Sequence, residues 1–188
     1  MKRILAVIAI FAGLAACRDP KPPVGPDGQL SPPFVVFDSA GVLGAGLDIF
    51  VNTDRGITDW LGPPSDGRLA AYPPGQQFGF VAAVMLGDPT PGRRQFKDMR
   101  AYRTLQFELR GAAGGEVVEV GIKDDLDPDN GSETKVSVTV SQAWTPHSYP
   151  LATFTTADLS RIYLLFELVF NGTAGRSVSF RNVRYTAP

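Results

Sequence analysis

YRTLQFELRG, residues 102–111, alternates: Leu105, Phe107 and Leu109 fall on one side, and Thr104, Gln106, Glu108 and Arg110 on the other. A side-chain period of two with one apolar face marks a strand in a sheet buried on one side. The same reading extends outward. VVEVGIK (117–123) sets Val118, Val120 and Ile122 inward against Glu119 and Lys123 outward. ETKVSVTV (133–140) sets Val136, Val138 and Val140 against Lys135, Ser137 and Thr139. In RIYLLFELVF (161–170) the alternation predicts one face of Ile162, Leu164, Phe166, Leu168 and Phe170 and another of Tyr163, Leu165, Glu167 and Val169. Its β-branched and aromatic content, and the Asn171-Gly172 turn that follows, favour a strand over a helix. SVSFRNVRY (177–185) keeps no single phase, which predicts a bulge or cover on both faces.

The front half adds PFVVFDS (33–39), LDIFVNT (47–53), GRLAAY (67–72) and QQFGFVAAVM (76–85), separated by turn clusters such as Gly62-Pro63-Pro64-Ser65-Asp66-Gly67. About nine or ten short strands with turn signals between them predict an all-β antiparallel sandwich. One helical turn is expected over 155–159, where Thr156 and Asp158 can cap.

The N-terminus has a different logic. MKRILAVIAIFAGLAAC has a basic tip, an apolar run from Ile4 to Leu14 and small residues before Cys17, as in a secretory leader. Leu14-Ala15-Ala16-Cys17 resembles the lipobox of bacterial lipoproteins, which implies cleavage after residue 16 and lipid on the Cys17 thiol. Two or three acyl chains anchor durably, each buried methylene contributing about 0.8 kcal/mol. Arg18 stands where those lipoproteins carry an aspartate for inner-membrane retention, so the outer membrane is the expected destination. Residues 17–33, with proline at positions 20, 22, 23, 26, 32 and 33, read as an extended stalk. Residues 34–188 are long enough for one domain with a substantial core.

Formal charge is −1 for the 188 residues and −3 once Lys2 and Arg3 leave with the leader. No basic cluster with interleaved aromatics points to nucleic acid. With one histidine, His147, and a cysteine assigned to lipid, neither a nucleophile–base pair nor a His/Cys zinc site can be assembled. His147 reads as an ordinary half-exposed residue.

GGEVVEVGIKDD (114–125), Trp144 before SYPLATF, ADLSRIYLLFELVF (157–170) and SVSFRNVRY, in that order and spacing, resemble the C-terminal part of bacterial galactose-binding-like jelly rolls, a group that includes carbohydrate-binding modules. The resemblance implies a jelly-roll sandwich that binds a polysaccharide or oligosaccharide without catalysis. It places Trp144 in the core. It also implies a structural calcium near the first strand, for which Asp38, Asp48 and Asn182 are the available ligands, although Arg181-Asn182 replaces the paired aspartates common in the family.

The expected ligand surface is a polar sheet face bearing Gln106, Glu108, Arg110, Glu119, Tyr163 and Glu167, with Trp60, Tyr72, Phe78 and Phe80 supplying rings for stacking from the front half. Carboxylate, guanidinium and amide groups suit sugar hydroxyls, and sugar rings stack on aromatic faces. Trp60 fits either an exposed platform or a plug of the sandwich. Glu108, Glu119 and Glu167 also leave open the paired carboxylates of a glycosidase. A third reading is an envelope protein-interaction module that has lost its sugar platform. KDDLDPDNGSE (123–133) fails as an EF-hand, since its glycine is one place late and its twelfth position is Val136. It reads as a turn between strands, a weak calcium loop or a ligand-contacting rim.

Overall fold

The computed structural model describes residues 31–87 and 94–187. The leader, Cys17 and the stalk up to residue 30 lie outside the described residues.

Ten strands make two antiparallel sheets among the described residues. They are β1 (Phe34–Phe37), β2 (Leu47–Thr53), β3 (Arg68–Tyr72), β4 (Phe78–Met85), β5 (Thr104–Gly111), β6 (Glu116–Asp124), β7 (Lys135–Val140), β8 (Thr145–Pro150), β9 (Ile162–Asn171) and β10 (Arg176–Thr186). One sheet runs β1-β10-β5-β8, with β3 also on β10; the other runs β2-β4-β9-β6-β7. Chain neighbours such as β4 and β5, or β8 and β9, therefore alternate between sheets, which is the jelly-roll sandwich expected.

The alternation in β5, β6 and β7 is realised as read, with Leu105, Phe107, Leu109, Val118, Val120, Ile122, Val138 and Val140 buried between the sheets. In β10 the missing phase is a bulge between Arg181 and Arg184, with Asn182 at φ 52°. The extra residue lets Val178 and Phe180 face the core before it and Val183 and Tyr185 after it.

The β9 reading needs correction. Ala83 pairs with Phe166 and Val84 with Leu164, so Leu165 is an extra residue and the phase slips there. Leu165 points into the core, and Leu164 joins Ala82 and Val84 in a small cluster on the opposite face. The helical turn expected over 155–159 is also absent. The Asp158 carboxylate accepts from the Ser160 N–H (2.9 Å) and hydroxyl (2.8 Å), a local bonding pattern that competes with helix, and a 3-10 turn forms earlier at Leu151–Thr153.

Aromatic rings fill the space between the sheets. Phe166 from β9 reaches Phe37, Phe107 and Phe180 of the facing sheet, while Trp60, Tyr72 and Phe170 form a second group. Tyr185 connects the two bulged strands: its buried hydroxyl donates to the carbonyl of Leu165 at 2.6 Å. Burial pushes that phenol well above its usual titration range, so it remains a donor. Tyr185→Phe leaves the bulge carbonyl without this donor in a dry interior and is expected to cost about 1–3 kcal/mol. Urea denaturation of the two proteins measures the difference, and equal midpoints would refute the assignment.

Candidate functional site

The solvent-facing side of the β2-β4-β9-β6-β7 sheet is a groove of ≈ 690 Å³. Strand register builds its floor. One row across the sheet is Phe50, Ala82, Glu167, Gly121 and Lys135; the next is Asn52, Phe80, Val169, Glu119 and Ser137. Ala82 and Gly121 keep the middle of the first row low. Gly121 has a specific reason to lack a side chain, since a Cβ there would sit 2.4 Å from Glu167 Oε1 and 3.1 Å from Lys135 Cγ. Phe50 and Phe78 retain 50% and 46% of their surface, and Phe80 and Tyr163 are half-buried beside them. Large rings left in water on one side of a sheet are the unusual feature here. Polar groups sit among them: the Asn171 amide donates to Glu119 Oε2 at 2.8 Å.

The segment 123–133 supplies one wall. Lys123, buried although charged, donates to the Pro128 carbonyl (2.7 Å) and Asp129 Oδ1 (2.8 Å). Arg94 donates to the Asp127 carbonyl (3.0 Å), pairs with Asp129 and places its guanidinium 4.9 Å from the centre of the Tyr163 ring. Lys123 and Arg94 hold the Asp129 carboxyl below the usual carboxylate range. Asp125 is bound through both oxygens by Arg161 at 2.7 Å each, which lowers it too. Asp124 accepts from the N–H groups of Leu126, Asp127 and Asp158. The aspartates thus shape the loop by bonding within the protein, and the stretch is the rim of the groove. Asp127 differs: burial and the nearby Asp124 push its carboxyl up.

Where this wall meets the floor, Glu133 of the wall and Lys135 of the floor form an ion pair, and Lys135 Nζ lies 3.9 Å from Glu167 Oε1. Burial, reinforced by the adjacent Glu133, pushes the Glu167 carboxyl up to about 8. Glu133 is held below its ordinary value: burial raises it, but the bond and charge of Lys135, a backbone N–H and the neighbouring Glu167 together outweigh burial.

The sequence-predicted residues divide between the sheets. Phe78, Glu119, Tyr163 and Glu167 meet in the groove. Gln106, Glu108 and Arg110 do not: β5 lies in the other sheet, and they occupy its outer face. There Glu108 accepts from Arg181 (2.8 Å) and Asn182 (2.9 Å), Gln106 from Arg184 (3.1 Å), and Asp66 from Arg110 (3.0 Å) and the Trp144 indole (3.0 Å). Alternation assigns a residue outward but is silent about which of two sheets carries the strand, so Glu108 cannot form a carboxylate pair with Glu119 or Glu167. Trp60 and Tyr72 are core residues, each with its polar atom satisfied by a carbonyl, at Ile57 (3.1 Å) and Gly172 (3.1 Å). Neither offers a ring to solvent. Trp144 is in turn not core: it is half-buried on the outer face, with Arg110 and Arg181 within 4.5 and 4.2 Å of its ring centre. His147 is half-buried and stacked on Phe107 at 5.3 Å, with burial lowering its imidazole.

The suggested calcium ligands are also not brought together. Asp38 closes a turn by accepting from the N–H groups of Ala40 (2.9 Å) and Val42 (2.8 Å), and the Asn182 amide points an N–H at Glu108. Asp48 lies on β2, in the opposite sheet. Among the described residues no three acidic, histidine or cysteine side chains are placed to hold a metal ion.

Phe50 and Arg94 were missed. Phe50 had a signal: in LDIFVNT it shares the polar phase with Asp48 and Asn52, and an aromatic in the outward phase of a strand is a candidate contact surface. Arg94 had none, because its role comes from partners 33 and 35 residues away.

The architecture recurs in known carbohydrate-binding modules. The family 30 module of the cellulosomal cellulase Cel9D-Cel44B of Clostridium thermocellum matches with a TM-score of 0.59 at 16% identity, over 83% of this chain and 98% of that one. A family 29 module complexed with mannohexaose matches at 0.56 and 12% identity, over 82% and 91%, and one complexed with cellulohexaose at 0.55 and 12%, over 82% and 90%. No curated protein sequence matches the chain. The model of the family described as carbohydrate binding domain 30 matches residues 81–187, which is more than half of the sequence and includes β5 to β10. By that match the chain belongs to the carbohydrate binding domain 30 family.

Proposed function

We propose that the domain binds a polysaccharide or oligosaccharide chain along the groove of the β2-β4-β9-β6-β7 sheet and performs no catalysis. The observation that carries the reading is the pair of exposed rings Phe50 and Phe78, flanked by the half-buried rings of Phe80 and Tyr163, over a floor kept low by Ala82 and Gly121. Apolar sugar faces stack on such rings, while Asn52, Glu119 and Asn171 meet hydroxyls at the edge. Family membership and the hexasaccharide complexes of similar modules support the same reading. Calorimetric titration of the purified protein with mannohexaose, cellohexaose and xylohexaose tests it. Saturable heat with at least one is expected, and none with any of them would reject it.

The N-terminal motif adds the address: Cys17 tethers the module by lipid to the cell envelope, on the outer membrane, where it holds glycan near the surface. Cys17→Ser is expected to abolish incorporation of radiolabelled palmitate in cells and to release the protein from the membrane fraction. Labelling that survives the substitution would reject the anchor.

A further inference from the structure

Two carboxyl groups meet under the groove, one from its wall and one from its floor. Glu133 stands near the end of the 125–134 loop and Glu167 projects from the middle of β9; their side chains are 5% and 7% exposed and converge on one cation, Lys135 Nζ, each close enough to perturb the other's titration. Glu133 Oε2 and Glu167 Oε1 are both buried, and neither receives a hydrogen bond from any donor. Two neighbouring carboxylates repel, and a buried oxygen left without a donor is destabilising. One proton between them turns one acceptor into a donor and satisfies both.

The surroundings supply no donor to either orphaned oxygen; the other titratable group of the loop that acts on Glu133 is Asp127, a carboxyl also pushed up by burial and Asp124, with its own Oδ2 buried and without a donor. Lys135 on β7 is engaged with Glu133 and the Gly131 carbonyl (3.2 Å), standing 3.9 Å from Glu167. Lys123 on β6 is committed to Pro128 and Asp129. Along the same row β4 presents Ala82, β6 presents Gly121 and β2 presents Phe50, none of which titrates. One lysine thus serves two carboxyl groups, and the high Glu167 value of about 8 agrees with one of them staying protonated.

We propose that a proton shared by Glu133 and Glu167 latches the 125–134 loop to the sheet and so holds the wall of the groove in its binding position. Glu167 is a positioning residue acting through Glu133 on the loop that carries Asp129 and Asn130. The consequence for affinity rests on the glycan-binding reading; the latch does not. The sign follows from linkage. Glu167 binds its proton more tightly folded than unfolded, so the stabilisation it gives falls as pH rises from about 4.5 toward 8, and the latch is lost above that.

Two measurements on the purified full-length protein separate the latch from the ligand. Amide hydrogen exchange of Asn130 to Thr134, corrected for intrinsic rates, is expected to show protection falling about tenfold between pH 7 and 9.5. Glu167→Gln supplies a permanent N–H donor and is expected to hold protection flat over that range. Glu133→Gln supplies the donor from the other side, gives the same flat profile, and decides the matter if the first variant does not fold. Wild-type protection independent of pH, or both variants tracking the wild type, overturns the latch. Titration with the hexasaccharide bound at pH 7 is expected to show affinity falling in parallel in the wild type and flat in the variants; affinity unchanged while protection falls overturns the coupling to binding. If no hexasaccharide binds at any pH, the glycan reading fails and the exchange profile still decides the latch.

Discussion

Phe166→Ala is expected to lower the unfolding free energy by about 3–5 kcal/mol, enough to threaten folding at 37 °C in a domain of ordinary stability. The Phe166 ring is fully buried and meets three rings of the facing sheet, Phe37 at 6.3 Å, Phe107 at 5.7 Å and Phe180 at 5.7 Å. Those neighbours sit on β1, β5 and β10, whose spacing is set by ladder hydrogen bonds, so the space left by the ring cannot close by small shifts. The full cost of a cavity therefore adds to the lost transfer free energy. Urea denaturation gives the difference directly, and thermal melting should show a drop of about 6–20 °C. A loss under about 1 kcal/mol would mean that the sheets reclose and that the ring cluster is not what holds them apart.

Phe50→Ala and Phe80→Ala should each weaken hexasaccharide binding by about thirtyfold, corresponding to roughly 2 kcal/mol, and together should remove measurable binding. Phe50 pairs across the ladder with Ala82 and Phe80 with Asn52, so the rings are diagonal neighbours and can serve adjacent sugar units. Stability should change by less than about 0.5 kcal/mol for Phe50, because much of the ring is already in water. That contrast with Phe166 separates a binding surface from a core. Arg110→Ala, on the outer face of the other sheet, is the matched control and should leave titration heats unchanged. Equal losses from Arg110 and Phe50 would move the site to the other sheet.

Much of this architecture was legible in short windows. β5, β6 and β7 show their buried faces by strict alternation, and the broken phase of SVSFRNVRY predicts a bulge or cover on both faces, of which the structure has the bulge, at Asn182. The slip in β9 was hidden because Leu164 and Leu165 are identical in type, so the windows 162–164 and 165–168 read as one continuous pattern. Trp60 and Tyr72 show the same limit from another side. Both come from turn-rich or short segments without a strong phase, and whether such a ring plugs a core or faces water depends on what arrives from elsewhere, here Phe170.

The candidate site divides likewise. Phe78, Glu119, Tyr163 and Glu167 could be marked as outward from their strands, and they do share the groove. Gln106, Glu108 and Arg110 satisfied the same local criterion and belong to the opposite face of the sandwich. The acidic loop was conspicuous by composition, but its role as a wall depends on Lys123, Arg94 and Arg161 reaching it.

By itself the sequence determined most of the strands, most of their buried sides and the broken phase of the last strand, because those follow from side-chain periodicity and local order along the chain. Tertiary structure alone decided which outward residues share a sheet, which rings remain in water, and that Glu133 and Glu167 meet. The physical reason is that antiparallel pairing joins residues far apart in the chain, as when Gly121 comes to lie beside Glu167. No window short enough to show a period of two contains that distance.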